Sequence, residues 1–334
     1  MTESTVPTLT ANKRAGIDAC ADSHGVIAAL AIDQRGSLQR AIAIAKGAPA
    51  TPDELSEFKA LVTEVLSPYS SAVLLDAEYG LEAIKRLAPN VGLLLAYEQS
   101  GYDTLTRMPD LMPTWSVRQL IEAGAQAVKV VMQYDPDDDD DKIARQKLAF
   151  VERVGSECAA NDVPFFFEPV TYDRRIRDEK SIEYAKIKPE KVQRTMLEFS
   201  KPQYRVDVLK VEIPINIRYV EGARANTDNV IAYSRSAALE AFHKCAAATN
   251  LPFIYLSAGV TNDIFVEALE LAAESKSAYA GVLCGRATWQ DGVTPFVKNG
   301  NAGLRKWLET EGVRNIQAVN AAVAKGASSW RRLD

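Results

Sequence analysis

Histidine is nearly missing from this 334-residue chain: His24 and His243 are the only two. Two cannot assemble a three-histidine zinc site, and neither stands where a serine–histidine hydrolase would need it. Any chemistry therefore has to run on Lys, Asp, Glu, Arg and backbone groups. Cysteine is equally sparse. Cys20, Cys158, Cys245 and Cys284 are dispersed and form no CxxC pair, so neither a zinc knuckle nor a disulfide framework is indicated, and a reducing cytoplasm is the expected location. No apolar run approaches the roughly 20 residues that span a bilayer, and Met1 to Arg14 lacks the apolar core of a secretory signal. With 39 basic and 44 acidic residues, net charge −5, no global basic field exists to gather nucleic acid. No Gly-, Ser- or Pro-rich linker divides the chain, which reads as a single domain with a short polar N-terminal extension over about residues 1–12.

What the chain does contain is a repeated alternation. Eight apolar, strand-like runs occur: Val26–Asp33, Ala72–Asp76, Gly92–Glu98, Ala127–Gln133, Pro164–Pro169, Asp207–Pro214, Pro252–Gly259 and Ala280–Arg286. Most are continuously apolar, the mark of parallel strands covered on both faces. Helical patterns lie between them: Pro52–Leu66 behind Thr51 as N-cap, Ser116–Ala123, Asp141–Ala160, Val192–Phe199, Arg235–Ala248 and Asn262–Ser275. Eight strands alternating with helices fit the α/β class as a (β/α)8 TIM barrel. A doubly wound open sheet is the competitor, but no GxGxxG turn follows any strand. The acidic run Asp137–Asp141 lacks the alternation, glycine and distant glutamate of a calcium loop. It reads as a solvated loop feeding a helix N-terminus.

Charged residues recur where such a barrel keeps its site, at the C-terminal ends of strands. The first strand ends Asp33-Gln34-Arg35-Gly36, the third ends Tyr97-Glu98, the fourth carries Lys129 and the fifth ends in Glu168-Pro169. The sixth carries Lys210 between Leu209 and Val211, sharing a face with Val208 and Glu212. A lysine among branched aliphatics is either ion-paired or held partly neutral, and a neutral amine attacks carbonyls. Lys129 can supply the repulsion that frees the Lys210 amine, with Glu168 and Asp33 as proton-transfer groups and counter-charges; a plain Lys129–Glu168 salt bridge is the structural alternative. Ser257-Ala258-Gly259 and Gly285-Arg286 end the last two strands with small residues and one guanidinium, a phosphate-site pattern in this fold. Arg35, beside Gln34, is a positional candidate for a second phosphate.

Five stretches carry a resemblance: Ala31-Ile32-Asp33-Gln34-Arg35-Gly36, Leu74-Leu75-Asp76-Ala77-Glu78-Tyr79-Gly80, Val208-Leu209-Lys210-Val211-Glu212, Tyr255-Leu256-Ser257-Ala258-Gly259-Val260 and Gly281-Val282-Leu283-Cys284-Gly285-Arg286-Ala287-Thr288-Trp289. In these the chain resembles the class I tagatose 1,6-bisphosphate aldolases, over nearly its whole length. The resemblance implies a (β/α)8 barrel and metal-independent, cofactor-free cleavage of a ketohexose 1,6-bisphosphate to dihydroxyacetone phosphate and glyceraldehyde 3-phosphate. It implies Lys210 as Schiff-base lysine, Asp33, Lys129 and Glu168 as its companions, and Ser257 and Arg286 as phosphate ligands. In the expected mechanism Asp33 and Lys129 assist carbinolamine dehydration and Glu168 removes the C4 hydroxyl proton. The preferred C4 epimer stays open. A class I aldolase for 6-deoxy-6-sulfofructose 1-phosphate and a non-catalytic sugar-phosphate sensor are the alternatives. The expected partner is a phosphorylated ketose, not nucleic acid or membrane, and apolar outer helices allow a homodimer or higher homo-oligomer.

Overall fold

A computed structural model of the protein describes residues 9–99, 101 and 106–333. Eight parallel strands run in chain order: β1 (Ile27–Ala31), β2 (Ala72–Asp76), β3 (Gly92–Ala96), β4 (Ala127–Tyr134), β5 (Phe165–Thr171), β6 (Val208–Glu212), β7 (Phe253–Leu256) and β8 (Gly281–Cys284). Each pairs with the next, and β8 pairs back onto β1 to close the barrel. Closure needs Gly281: at φ +140°, a Cβ on it would stand 2.0 Å from the Ile27 carbonyl oxygen, so only glycine lets the first and last strands meet.

Alternation along each strand builds two cores. Ala29, Ala31, Leu74, Leu94, Ala96, Phe166, Val208 and Ile254 fill the interior. Leu30, Val73, Leu75, Leu95, Phe167 and Leu209 face outward under the helices. The inward set is small or apolar to the middle of the barrel and turns charged at its C-terminal end, so the expected architecture holds and positions a polar mouth on an apolar plug.

The helix Pro52–Leu66 begins where expected. Thr51 and Glu54 form a reciprocal capping box with Pro52 in the first turn. The helix expected to start at Val192 spans Ile182–Phe199 and contains Pro189; burial of Tyr184, Ala185, Val192, Met196 and Phe199 overrides the usual proline stop. Residues 1–8 of the expected N-terminal extension lie outside the described residues, and its end is ordered into the fold. Thr10 caps the helix Ala11–Ala19, and Lys13 pairs with buried Asp207 at 2.7 Å. Ile17 and Cys20 then join Trp330 below the barrel interior.

The acidic run is not simply solvated. Asp140 caps the helix Asp141–Ala160, but Asp137 binds Lys191 and Arg194 and Asp138 binds Arg174. No helix among the described residues is long and apolar enough to cross a membrane.

Candidate active site

Strand register explains why the charged residues meet. Phe166 lies level with Val208, and Phe167 with Leu209; one further residue brings Glu168 beside Lys210. Lys129 lies level with Ala96 on one side and Phe166 on the other. The Lys210 Nζ donates to Glu168 Oε2 at 2.8 Å. Lys129 Nζ lies 2.9 Å from that same oxygen and donates to Asp33 Oδ2 at 2.8 Å and Glu98 Oε1 at 3.0 Å. Lys129 and Lys210 are 1% and 3% exposed. Two lysines and three carboxylates thus share one dry cluster at the barrel mouth.

The electrostatics follow from that crowding. Burial opposes a charged Lys129, but Asp33, Glu168 and Glu98 together outweigh it and lift the ammonium well above its ordinary pKa. Burial likewise pushes the Asp33 carboxyl up, yet Lys129, Lys210 and, more weakly, Lys59 bring it well below the usual carboxylate range. Glu98 goes the other way, because burial prevails over Lys129 and raises its carboxyl. Lys129 is therefore a standing positive charge next to Lys210. It is also more than the Lys129–Glu168 salt bridge, since it binds three carboxylates.

The turn after β1 adds three side chains with unusual properties. Asp33 Oδ1, Gln34 Oε1 and Arg35 Nη1 are each buried without a hydrogen-bond partner among the described residues. Buried polar atoms are ordinarily satisfied, so three in succession at a mouth suit groups that meet a ligand. Arg35 is not wholly free: Nη2 donates to the Glu98 carbonyl at 2.5 Å, and Nη1 itself lies 3.7 Å from Glu78 Oε2, an ion pair beyond hydrogen-bond reach.

Two strands further round the rim, after β7, Ala258 and Gly259 both take positive φ, +49° and +74°. Successive amides in such a turn form an anion-binding concavity. The Arg286 guanidinium lies against Gly259 so closely that a Cβ there would stand 2.6 Å from Arg286 Cζ. Gly285 plays a similar part toward the first strand, where a Cβ would approach Gln34 Nε2 to 3.0 Å. Ser257 is buried beside them. The expected phosphate residues and the Asp33–Gln34–Arg35 turn thus belong to one mouth.

Sequence reasoning gave no role to Glu98, which binds Lys129 and accepts from the Val131 amide. Its position as the last polar residue of the third run was the available signal. Lys59 was also missed; it is buried behind the β1 turn and paired with Asp76. Among the described residues, the carboxylates close enough to share a metal ion are Asp135, Asp137 and Asp173, and Lys191 Nζ already lies 2.5, 3.0 and 3.0 Å from them. An internal ammonium neutralises that group.

Comparison with known proteins supplies a family and a fold. Residues 27–291 match the family described as DeoC/LacD family aldolase. Tagatose 1,6-diphosphate aldolase 2 of Enterococcus faecalis is 52% identical over 326 residues, 97% of each chain. The Lactococcus lactis tagatose 1,6-diphosphate aldolase is 47% identical over 324 residues, 96% of this chain and 98% of that one. Among solved structures, fructose-bisphosphate aldolase from Plasmodium falciparum superposes with a TM-score of 0.69 at 15% identity, over 98% of this chain and 99% of the other, a likeness of fold.

Proposed function

The chain belongs to the DeoC/LacD family of aldolases, and from that premise we propose that it cleaves tagatose 1,6-bisphosphate and related ketohexose 1,6-bisphosphates to dihydroxyacetone phosphate and glyceraldehyde 3-phosphate through a Schiff base on Lys210. The observation that carries this reading is the 2.8 Å bond from Lys210 Nζ to Glu168 Oε2. It gives the lysine a route to shed a proton beside a standing positive charge on Lys129.

The steps balance around Glu168. It takes a proton from Lys210, and the amine adds to the C2 carbonyl. Glu168 returns the proton to the carbinolamine hydroxyl, which leaves as water and forms the iminium. The carboxylate then removes the C4 hydroxyl proton, the C3–C4 bond breaks, and its electron pair enters the iminium to give an enamine. The aldehyde departs, Glu168 reprotonates C3, and water hydrolyses the imine. This gives Glu168 the dehydration step expected of Asp33 and Lys129, because Glu168 is the carboxylate bonded to Lys210. Asp33, held ionised with Oδ1 unpartnered, is left to orient the substrate hydroxyls. Ser257, the Ala258–Gly259 amides and Arg286 take the C1 phosphate, while Gln34 and Arg35 face the far end of the sugar.

Borohydride added with substrate should attach the triose or hexose skeleton to Lys210, read by peptide mass spectrometry. Cleavage should persist in a strong chelator and vanish in Lys210→Met. An unlabelled protein, or a fully active Lys210→Met variant, defeats the proposal.

A further inference from the structure

Lys59 lies in the middle of the helix Pro52–Leu66, outside the barrel wall, with no exposed surface. Its ammonium makes three short contacts: to the Ile32 carbonyl at 2.6 Å, to the Gln34 carbonyl at 2.9 Å and to Asp76 Oδ2 at 2.7 Å. Other buried lysines here pair with side chains, as Lys13 does with Asp207 and Lys191 with its three aspartates. Lys59 instead spends two of its three donors on main-chain oxygens, and those oxygens bracket Asp33 and Gln34.

We infer that Lys59 is a positioning residue for the aldol chemistry: it clamps the backbone of the β1 turn from behind, so that Asp33 Oδ1, Gln34 Oε1 and Arg35 Nη1 are presented to the substrate. Fixing the Ile32 and Gln34 carbonyls fixes the peptide planes entering Asp33 and leaving Gln34, and with them the approach to Arg35. Lys129 on Asp33 Oδ2 and the bond from Arg35 Nη2 to the Glu98 carbonyl hold side chains of this turn, not its peptide planes. β1 ends at Ala31, and the last ladder bond on this side runs from the Ile32 amide to the Leu74 carbonyl at 2.8 Å. The following helix Gly36–Lys46 has no side-chain cap at Arg35. Meanwhile Asp33, Gln34 and Arg35 each keep one buried side-chain atom unpartnered among the described residues.

The third contact extends the clamp to the second strand. Asp76 uses its other oxygen to accept from the Glu78 and Tyr79 amides at 3.0 and 2.9 Å, and Glu78 approaches Arg35. One ammonium therefore ties the loops after β1 and β2 into a single edge of the mouth. Burial favours the neutral acid, and against it Lys59 adds, behind Lys129 and Lys210, to the positive field that keeps Asp33 ionised. A displacement of about 1 Å in such a group can cost on the order of a hundredfold in rate.

The inference rests on the aldolase reading, and the test separates the two. In Lys59→Met/Asp76→Asn the unpaired buried charge is gone and the turn caps survive through the asparagine oxygen; Lys59→Gln keeps a neutral donor toward the carbonyls. The double variant should melt as a folded protein and still be labelled on Lys210 by borohydride and substrate. Its kcat should fall about tenfold to a hundredfold with KM for a C1-phosphorylated ketose changed far less. Lys59→Gln should lie between it and the unaltered protein. Wild-type kcat in a folded double variant, or a loss that falls on KM and not on kcat, would overturn the inference. Failure of both variants to fold would overturn it equally, because Lys59 would then serve the barrel and not the turn. An unaltered protein that neither cleaves nor labels would instead sink the aldolase reading.

Discussion

Lys129 and Lys210 meet on one atom: Glu168 Oε2 lies 2.9 Å from the first ammonium nitrogen and 2.8 Å from the second. Neither lysine can shift its charge without the other feeling it. The two differ in their remaining partners, since Lys129 also holds Asp33 and Glu98, whereas Glu168 is the carboxylate bonded to Lys210. Glu168→Gln should therefore leave Lys129 anchored while depriving Lys210 of its proton acceptor. We expect kcat to fall by roughly 10²–10⁴, the usual worth of a positioned acid–base group, with slower borohydride labelling of Lys210 and a chain that still folds. Unchanged turnover would remove Glu168 from the proton pathway.

Gly259 tests the phosphate rim. A Cβ at this position meets the Arg286 guanidinium at 2.6 Å, and its φ of +74° is one that alanine adopts only under strain. Gly259→Ala should push Arg286 out of line and weaken one charge-assisted contact, about 1.5–3 kcal/mol. KM for a C1-phosphorylated ketose should rise roughly tenfold to a hundredfold, while the weak cleavage of an unphosphorylated analogue stays level. An equal loss on both substrates would mean that the strain spreads through the mouth and is not a phosphate effect.

At the far end of the barrel, Lys13 and Asp207 form an ion pair with both side chains nearly buried. Burial raises the Asp207 carboxyl even against the opposing pull of Lys13, so the carboxylate is costly there without its partner. Lys13→Met should destabilise the protein by about 3–5 kcal/mol, the penalty for stranding a buried charge. In a chain of this size the melting temperature should drop by roughly 5–15 °C. Turnover by the fraction still folded should match the unaltered enzyme, because the pair lies opposite the mouth. A drop in kcat would show that the two ends of the barrel are coupled.

Much of the site is legible in the sequence because barrel chemistry leaves a one-dimensional trace. Asp33, Lys129, Glu168 and Lys210 interrupt apolar runs at strand ends, where inward alternation alone predicts that they converge. Lys59 leaves no such trace. It sits among Phe58, Ala60 and Leu61 in a helix where a lysine ordinarily reaches solvent, and its partners lie 17 to 27 residues away, so its burial exists only once the barrel closes. Glu98 is intermediate: its place was visible, but its contact with Lys129 depends on how far β4 is shifted against β3. The helix Ile182–Phe199 starts ten residues before the expected Val192, because its first turns are held by tertiary burial of Tyr184 and Ala185, a contact that a local pattern does not display.

Lys147 offers a pH dependence with a definite sign. Its ammonium is buried against Tyr172, donating to the phenolic oxygen at 2.9 Å, while the Arg107 guanidinium stacks on the same ring 4.2 Å from its centroid. Burial first, and then the nearby Arg107 and Arg174, lower the Lys147 pKa to about 8, with Asp138 and Asp135 only partly offsetting them. In the unfolded chain the same group titrates near its ordinary value of about 10.4. Between those two values the unfolded state binds more protons than the folded one, so stability rises with pH across that window. Below about pH 8 both states carry the proton and the folded protein bears the full cost of a buried charge. Lys147→Met removes the group and should flatten this part of the profile, raising the denaturation midpoint at pH 7 relative to the unaltered protein while narrowing the gap near pH 10. Chemical denaturation at pH 7, 8.5 and 10 reads the difference directly. A variant whose midpoint runs parallel to the parent across all three would show that Lys147 keeps its ordinary affinity for the proton in the folded state.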